Sequence, residues 1–184
     1  MEFRHCYFES CNISITLKPK KRSQIRNIEL LDCAIRGCTI YAAIIENVLV
    51  SSLKTHTLLQ TWGAVYKHAK WEGNIGRIMI SSLIDLGLAK PKHQAAFDQA
   101  NAEYYKTVDW ALDISEARFY ECDIRGVSAS LIIRDPETQV VVTREKALQG
   151  KWKELDLSKT YWAGWIDLFL QSGEPDVVLV APKR

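Results

Sequence analysis

The chain has 184 residues, 47% hydrophobic and 25% charged, with a net charge of +2. That balance excludes disorder and fibrous classes and fits one domain able to bury a core without disulfide or metal staples. No apolar run reaches the 18 residues a membrane helix needs, and MEFRHCYFES lacks the apolar stretch of a secretory signal, so a cytoplasmic protein with no membrane contact is expected.

From the first residue the chain reads in blocks of five. MEFRH, CYFES and CNISI centre on Phe3, Phe8 and Ile13; IELLD, CAIRG, CTIYA and AIIEN centre on Leu30, Ile35, Ile40 and Ile45. The position two before each centre is small or apolar, and Cys6, Cys11, Cys33 and Cys38 all occupy it. A helix repeats near 3.6 and a plain strand at 2, so a period of five points to a solenoid whose short units each turn a corner. A later block, LDISE, ARFYE, CDIRG and VSASL, centres on Ile114, Phe119, Ile124 and Ala129. These blocks, CDIRG most closely, resemble the pentapeptide-repeat family. The resemblance covers roughly 1–15, 23–50 and 112–131, and it implies a mainly β fold, a right-handed quadrilateral β-helix with about four blocks per coil.

Between Ile13 and Ile25 the frame slips by two residues, and LKPKKRSQ is expected to form an exposed loop. Its Lys18, Lys20, Lys21 and Arg22 are candidates for contacting phosphate or an acidic partner, against the plainer reading of a solvated loop that discourages edge pairing. From Val50 the centres turn polar (Thr55, Gln60, Val65, Lys70), which leaves the middle as either a distorted solenoid or ordinary strands. If the frame persists there, Trp62, Tyr66 and Trp71 point outward and need a cover or a partner.

The segment HQAAFDQANAEYYKTVDWAL predicts an inserted helix at about 92–112 with an apolar stripe of Phe97, Ala100, Tyr104, Val108 and Ala111, and Pro91 in its first turn. This helix is expected to lie on the solenoid and hide the three aromatics. After the last blocks, Leu131–Ile133 and Val140–Thr143 flank the turn sequence Asp135-Pro136-Glu137 and predict a β-hairpin. Ser158 predicts the cap of a helix running to about Gln171, stopped by Gly173. Its stripe of Trp162, Trp165, Ile166 and Phe169, widened by Tyr161, Leu168 and Leu170, suits burial or pairing with a copy of itself, so a homodimer through residues 159–171 is one expectation. DVVLVA, from Asp176, predicts a further strand. The expected organisation is one domain over 1–184: coils at 1–87, a helical insertion at 88–112, a further coil at 113–131, and an α+β C-terminal cap at 132–184.

No phosphate loop, nucleophile elbow or HExxH motif is present; Gly73 and Gly76 in GNIG lack the required setting. No catalytic residue, cofactor or metal is implied. The cysteines share one pentad position, which favours small buried hydrophobes over ligands, and Asp113, Glu116, Glu121 and Asp123 fall on outward positions of the repeat. The function expected is that of a non-catalytic protein-binding module or scaffold. Two alternatives stand beside it: an enzyme with a pocket between the helix and the solenoid, and a nucleic-acid-related or topoisomerase-binding protein. Some pentapeptide-repeat proteins mimic duplex DNA with an acidic rod, but residues 1–75 here carry a net charge of +4, residues 76–112 zero and residues 113–184 −2. That distribution disfavours the mimic and also lacks the dense basic face of a nucleic-acid binder.

Overall fold

The computed structural model describes residues 1–84, 87 and 90–182. In chain order the elements are β1 (Glu2–Arg4), β2 (Tyr7–Glu9), β3 (Asn12–Ile13), β4 (Ser23–Leu31), β5 (Ala34–Arg36), β6 (Thr39–Tyr41), β7 (Ala43–Ser51), β8 (Lys54–Thr55), β9 (Leu59–Trp62) and β10 (Val65–Ser81). They continue with α1 (Pro91–Tyr105), β11 (Leu112–Ile124), β12 (Ile132–Ile133), β13 (Gln139–Thr143), α2 (Arg144–Leu148), α3 (Trp162–Ser172) and β14 (Asp176–Val180). The protein is mainly β. Parallel strands β1, β4, β7, β10 and β11 stack side by side in a curled sheet, β3, β6 and β9 join along its flank, and β2, β5 and β8 form a separate parallel sheet. This is consistent with a solenoid: Ile25 pairs with Ile45 and Ile45 with Tyr66, so each lap places its residues over those of the lap before.

The period of five has a backbone cause. Asn27, Asp32, Gly37, Ala42, Asn47 and Ser52 all have positive φ, each two residues past an inward-facing centre. A residue in the left-handed region turns the strand through a corner, and Asn, Asp and Gly tolerate that region best. Between corners the centres and the positions two before them fill the interior: Cys33, Ile35, Cys38, Ala43, Ile45, Val48 and Val50 are all buried. The cysteines therefore sit as the repeat requires, with Cys33 Sγ donating to the Phe3 carbonyl at 3.3 Å.

Residues 50–81 continue the stack, and their polar centres are explained by one extra residue. Ile35 lies over Thr55, but Ile40 lies over Thr61, not Gln60. The corners move with it, to Gly63, His68 and Gly73. This corrects the outward placement of two aromatics: Tyr66 and Trp71 are inward centres, 0% and 5% exposed. Tyr66 Oη donates to Thr61 Oγ1 at 2.7 Å, and burial drives its phenol pKa upward. Trp62 alone stays outside the interior, half-buried, with its Nε1 donating to Gln60 Oε1.

α1 is shorter than the predicted 92–112 helix. Pro91 occupies its first turn as expected, but the helix ends at Tyr105, where Thr107 Oγ1 donates back to the Tyr104 carbonyl at 3.2 Å. Val108 and Ala111, spaced as if on the helical stripe, are claimed by the solenoid interior. Nor does α1 hide the predicted aromatics. It covers the segment after β3: Phe97 is buried with Ala42 and Ile84 against Leu17, Tyr104 Oη donates to Glu46 Oε1 at 2.8 Å, and Tyr105 Oη accepts from the Tyr66 amide at 3.3 Å. The predicted boundary between coils and insertion falls at residues outside the described ones.

The cap differs from the predicted hairpin. β12 extends the solenoid by pairing parallel with β11, while β13 pairs antiparallel with β14, and β14 is inserted between β13 and β11. The Asp135 turn forms, but its side chain serves it locally, accepting from Glu137 N and Thr138 Oγ1. α2 was not foreseen, and α3 begins at Trp162 with Tyr161, not Ser158, at its N-cap; Gly173 ends it at φ 80°. Ile166 and Phe169 pack with Ala147, Val177 and Leu179, a second small core that fastens α2 and α3 to the β13–β14 pair.

This docking buries Asp123, which the repeat places outward. It is 2% exposed, bonded to Arg125 at 2.7 Å, and its Oδ1 has no partner among the described residues. Burial pushes its pKa up to about 6 despite the Arg125 guanidinium. The folded state therefore holds this proton more tightly than the unfolded chain. Its contribution is most favourable below about pH 4 and is lost as pH rises to about 6. Relative to Asp123→Asn, wild-type stability should fall by on the order of 2 kcal/mol across that window, measured by urea unfolding at each pH. A difference independent of pH would show that the carboxylate titrates normally.

Candidate functional site

Two concave features lie along the outside of the solenoid and at the cap. Where β10 passes β8, Gly76 comes down on Thr55: a Cβ at Gly76 would lie 2.0 Å from Thr55 Oγ1 and 2.7 Å from its backbone nitrogen, so only glycine permits the approach. With no side chain there, a hollow of about 580 Å³ opens between Lys54 and His56 on one lap, Arg77 on the next and Tyr120 on the one after. Tyr120 is also a wall of a second hollow of about 530 Å³, bounded by Ser158, Lys159, Thr160, Tyr161 and Trp162 ahead of α3 and by Ala181 and Pro182 after β14. The two hollows share Tyr120 as a common wall and are together termed the Tyr120 groove.

The groove has a single sign of charge. Lys54, Arg77, Lys159 and the imidazole of His56 line it, and no carboxylate does among the described residues. Arg77 lies over the Tyr120 ring at 4.8 Å, and its Nε is 3.7 Å from Oε2 of the partly buried Glu121, a long contact. His56 stands edge-on to Tyr7 at 6.0 Å. Tyr120 and Tyr161 are about half exposed, while the Trp162 wall is fixed by its Nε1 donating to the Val180 carbonyl at 2.9 Å. Rigid backbone thus presents two phenol rings, several hydroxyls and three permanent cations to solvent. Comparison with family models, with curated proteins and with solved structures finds no match.

None of the candidate binding residues Lys18, Lys20, Lys21, Arg22, Trp62, Tyr66 and Trp71 lines this groove. Lys18, Lys20 and Lys21 are exposed around a short 3-10 turn at Pro19–Lys21. Arg22 is a correction: it turns inward, is 9% exposed, donates to the Gly63 carbonyl at 3.2 Å and to Asn101 Oδ1, and lies 4.7 Å over the Phe97 ring. Burial lowers its pKa. Tyr66 and Trp71 are core, and Trp62 lies beside the Gly63 corner that Arg22 holds. Between α1 and the solenoid, where the enzyme alternative places a pocket, lie the side chains of Arg22, Phe97, Tyr104 and Tyr105; a cavity at Leu17, Trp62 and Ile84 measures about 10 Å³.

Inside the solenoid lies a different space, an apolar cavity of about 310 Å³. Phe3, Phe8 and Ile13 of the first lap stand at one end, and Tyr66 and Trp71 close the other. It exists because aliphatic centres such as Ile35, Ile40 and Val50 are too short to meet across the interior, whereas the two aromatics reach across it.

Proposed function

We propose that the chain is a pentapeptide-repeat-like, right-handed, four-sided β-helix that acts without catalysis as a cytoplasmic protein-binding module, and that the Tyr120 groove receives an acidic, extended segment of another protein. The basic groove carries this reading: in a chain with 22 Asp and Glu, three cations and a histidine surround half-exposed tyrosines, with no acid among the described residues that line it. Tyr and Arg are the side chains that supply most interface energy, because they combine large area with few rotamers to freeze. The regular corners support the four-sided form, and the five free cysteines suit a reducing compartment.

The test is binding of a fluorescent Asp/Glu-rich peptide by anisotropy. Lys54→Glu/Arg77→Glu should weaken it by about 100-fold and Tyr120→Ala by about 10-fold, whereas Lys18→Glu/Lys20→Glu should leave it unchanged. Failure of the peptide to bind, or indifference to the groove reversals, sinks the reading. A second reading is favoured by the Arg77–Tyr120 stack, since cations beside exposed rings also suit single-stranded nucleic acid. An oligodeoxythymidylate that outcompetes the peptide, with affinity falling steeply in salt, would replace the first reading by the second.

A further inference from the structure

We propose that two copies of this chain associate end to end through the first coil, β1 pairing antiparallel with β1 of a second copy about a two-fold axis at Phe3. Among the described residues, β1 has a strand, β4, on one side only. The Met1 carbonyl accepts from the Glu29 amide at 2.9 Å and the His5 amide donates to the Leu31 carbonyl at 3.0 Å, so the odd residues of β1 spend their backbone groups on β4. Backbone direction alternates along a strand, which leaves the N–H and C=O of Glu2 and Arg4 aimed at the free edge.

The side chains select the occupant and the register. Antiparallel pairing centred on Phe3 sets Glu2 opposite Arg4 of the second copy, and the two-fold axis repeats that pair with the roles reversed. Each pair exchanges both of its backbone N–H···O bonds, because its residues face one another with outward donors and acceptors. Each also places opposite charges side by side, replacing the exposed contact of Arg4 Nε with Glu2 Oε1 at 3.2 Å within one chain. Centring on Glu2 or on Arg4 would set like charge against like and is disfavoured. Phe3 and Phe8, edge-on at 5.8 Å, stand at the end of the 310 Å³ cavity, so the second copy would also cover apolar rings. No other edge strand of the first coil is self-complementary in this way: β2 would set Tyr7 against Glu9, and β3 has two residues. The contact is isologous, as a closed dimer requires.

Sedimentation equilibrium of the 184-residue chain at concentrations up to ~100 μM tests this. The wild type should be dimeric. Glu2→Arg and Arg4→Glu should each weaken the dimer by at least ~10-fold, because each creates two like-charge pairs, and the double variant Glu2→Arg/Arg4→Glu should restore it. Both charged positions, Glu2 and Arg4, are exposed in the single chain, and circular dichroism checks that the variants fold. A wild type that stays monomeric, or a double reversal that fails to restore association, overturns the proposal. So does a dimer indifferent to both single reversals; its loss on Leu168→Glu would instead place the interface on α3.

Discussion

Trp71→Ala is expected to cost about 3–5 kcal/mol of unfolding free energy, whereas Trp62→Ala should cost about 1 kcal/mol. The two indoles lie two sides apart, with the Tyr66 side between them, and only Trp71 faces the interior. Trp71 is a centre, with its ring 6.2 Å from that of Phe119 in the lap beyond and its edge forming the floor of the interior cavity. Removing it enlarges a space that aliphatic neighbours cannot collapse to fill, so the cost includes a cavity term as well as lost transfer energy. Trp62 packs on one side only and keeps its Nε1 bond to a neighbour on its own strand. Urea unfolding followed by far-ultraviolet circular dichroism, with unchanged slopes, measures both values. Equal costs near 1 kcal/mol would mean that the frame passes residues 56–61 without a shift and that Trp71 faces outward.

That contrast also marks what the sequence discloses. The centres from Ile25 to Val50 and the cysteines two positions before them were legible because each lap uses the same five-residue corner, and a corner fixes which side chains face in. The extra residue between Thr55 and Thr61 changes no composition, so the period of five projected past it turns inward aromatics into outward ones. The signal that could have located it was present: Gly63 and Gly73 take up the corner spacing again one residue late. The cap was less legible, because strand pairing there is decided by tertiary packing. Val140–Thr143 reads as the second arm of a hairpin, but β14 carries a fully apolar run that needs neighbours on both sides, and it takes β13 on one and β11 on the other. Asp123 followed the repeat rule for an outward side chain and was then covered by β14.

The groove shows the same limit for function. Lys54, Arg77, Tyr120 and Lys159 come from four distant points of the chain and share no motif. Only stacking brings the first three together, and only the cap brings the fourth. Gly76 was the one local clue, read as half of a phosphate loop and dismissed for lack of context; its role is to remove a side chain where two laps touch. The basic run at Lys18–Arg22 gave a stronger sequence signal and a weaker site, because its most enclosed member serves the fold.

That member supplies a prediction of comparable size to Trp71. Arg22 is a cation in the interface between the 16–22 segment and α1, held by two neutral acceptors and one aromatic face, with its Nε unpartnered among the described residues. Tyr104 and Tyr105 lie near it, and among the described residues it forms no ion pair with a carboxylate. A buried charge of this kind costs desolvation that its partners only just offset, so removing a partner is worse than removing both. Asn101→Leu should therefore destabilise by about 3 kcal/mol. Arg22→Met, which leaves the Asn101 and Gly63 oxygens without their donor, should cost about 1–3 kcal/mol. The double variant Arg22→Met/Asn101→Leu should cost less than Asn101→Leu alone, giving a coupling energy of about 1–3 kcal/mol in urea unfolding. Because the same contact fastens α1 to the solenoid, Asn101→Leu should also speed amide exchange in Pro91–Tyr105 while β7 and β10 stay protected. Peptide affinity at the Tyr120 groove should be unaffected, since no residue of the Arg22 contact lines it. Additive single and double variants would mean that Arg22 is already solvated in the folded chain and that apolar burial of Phe97 alone fastens the helix.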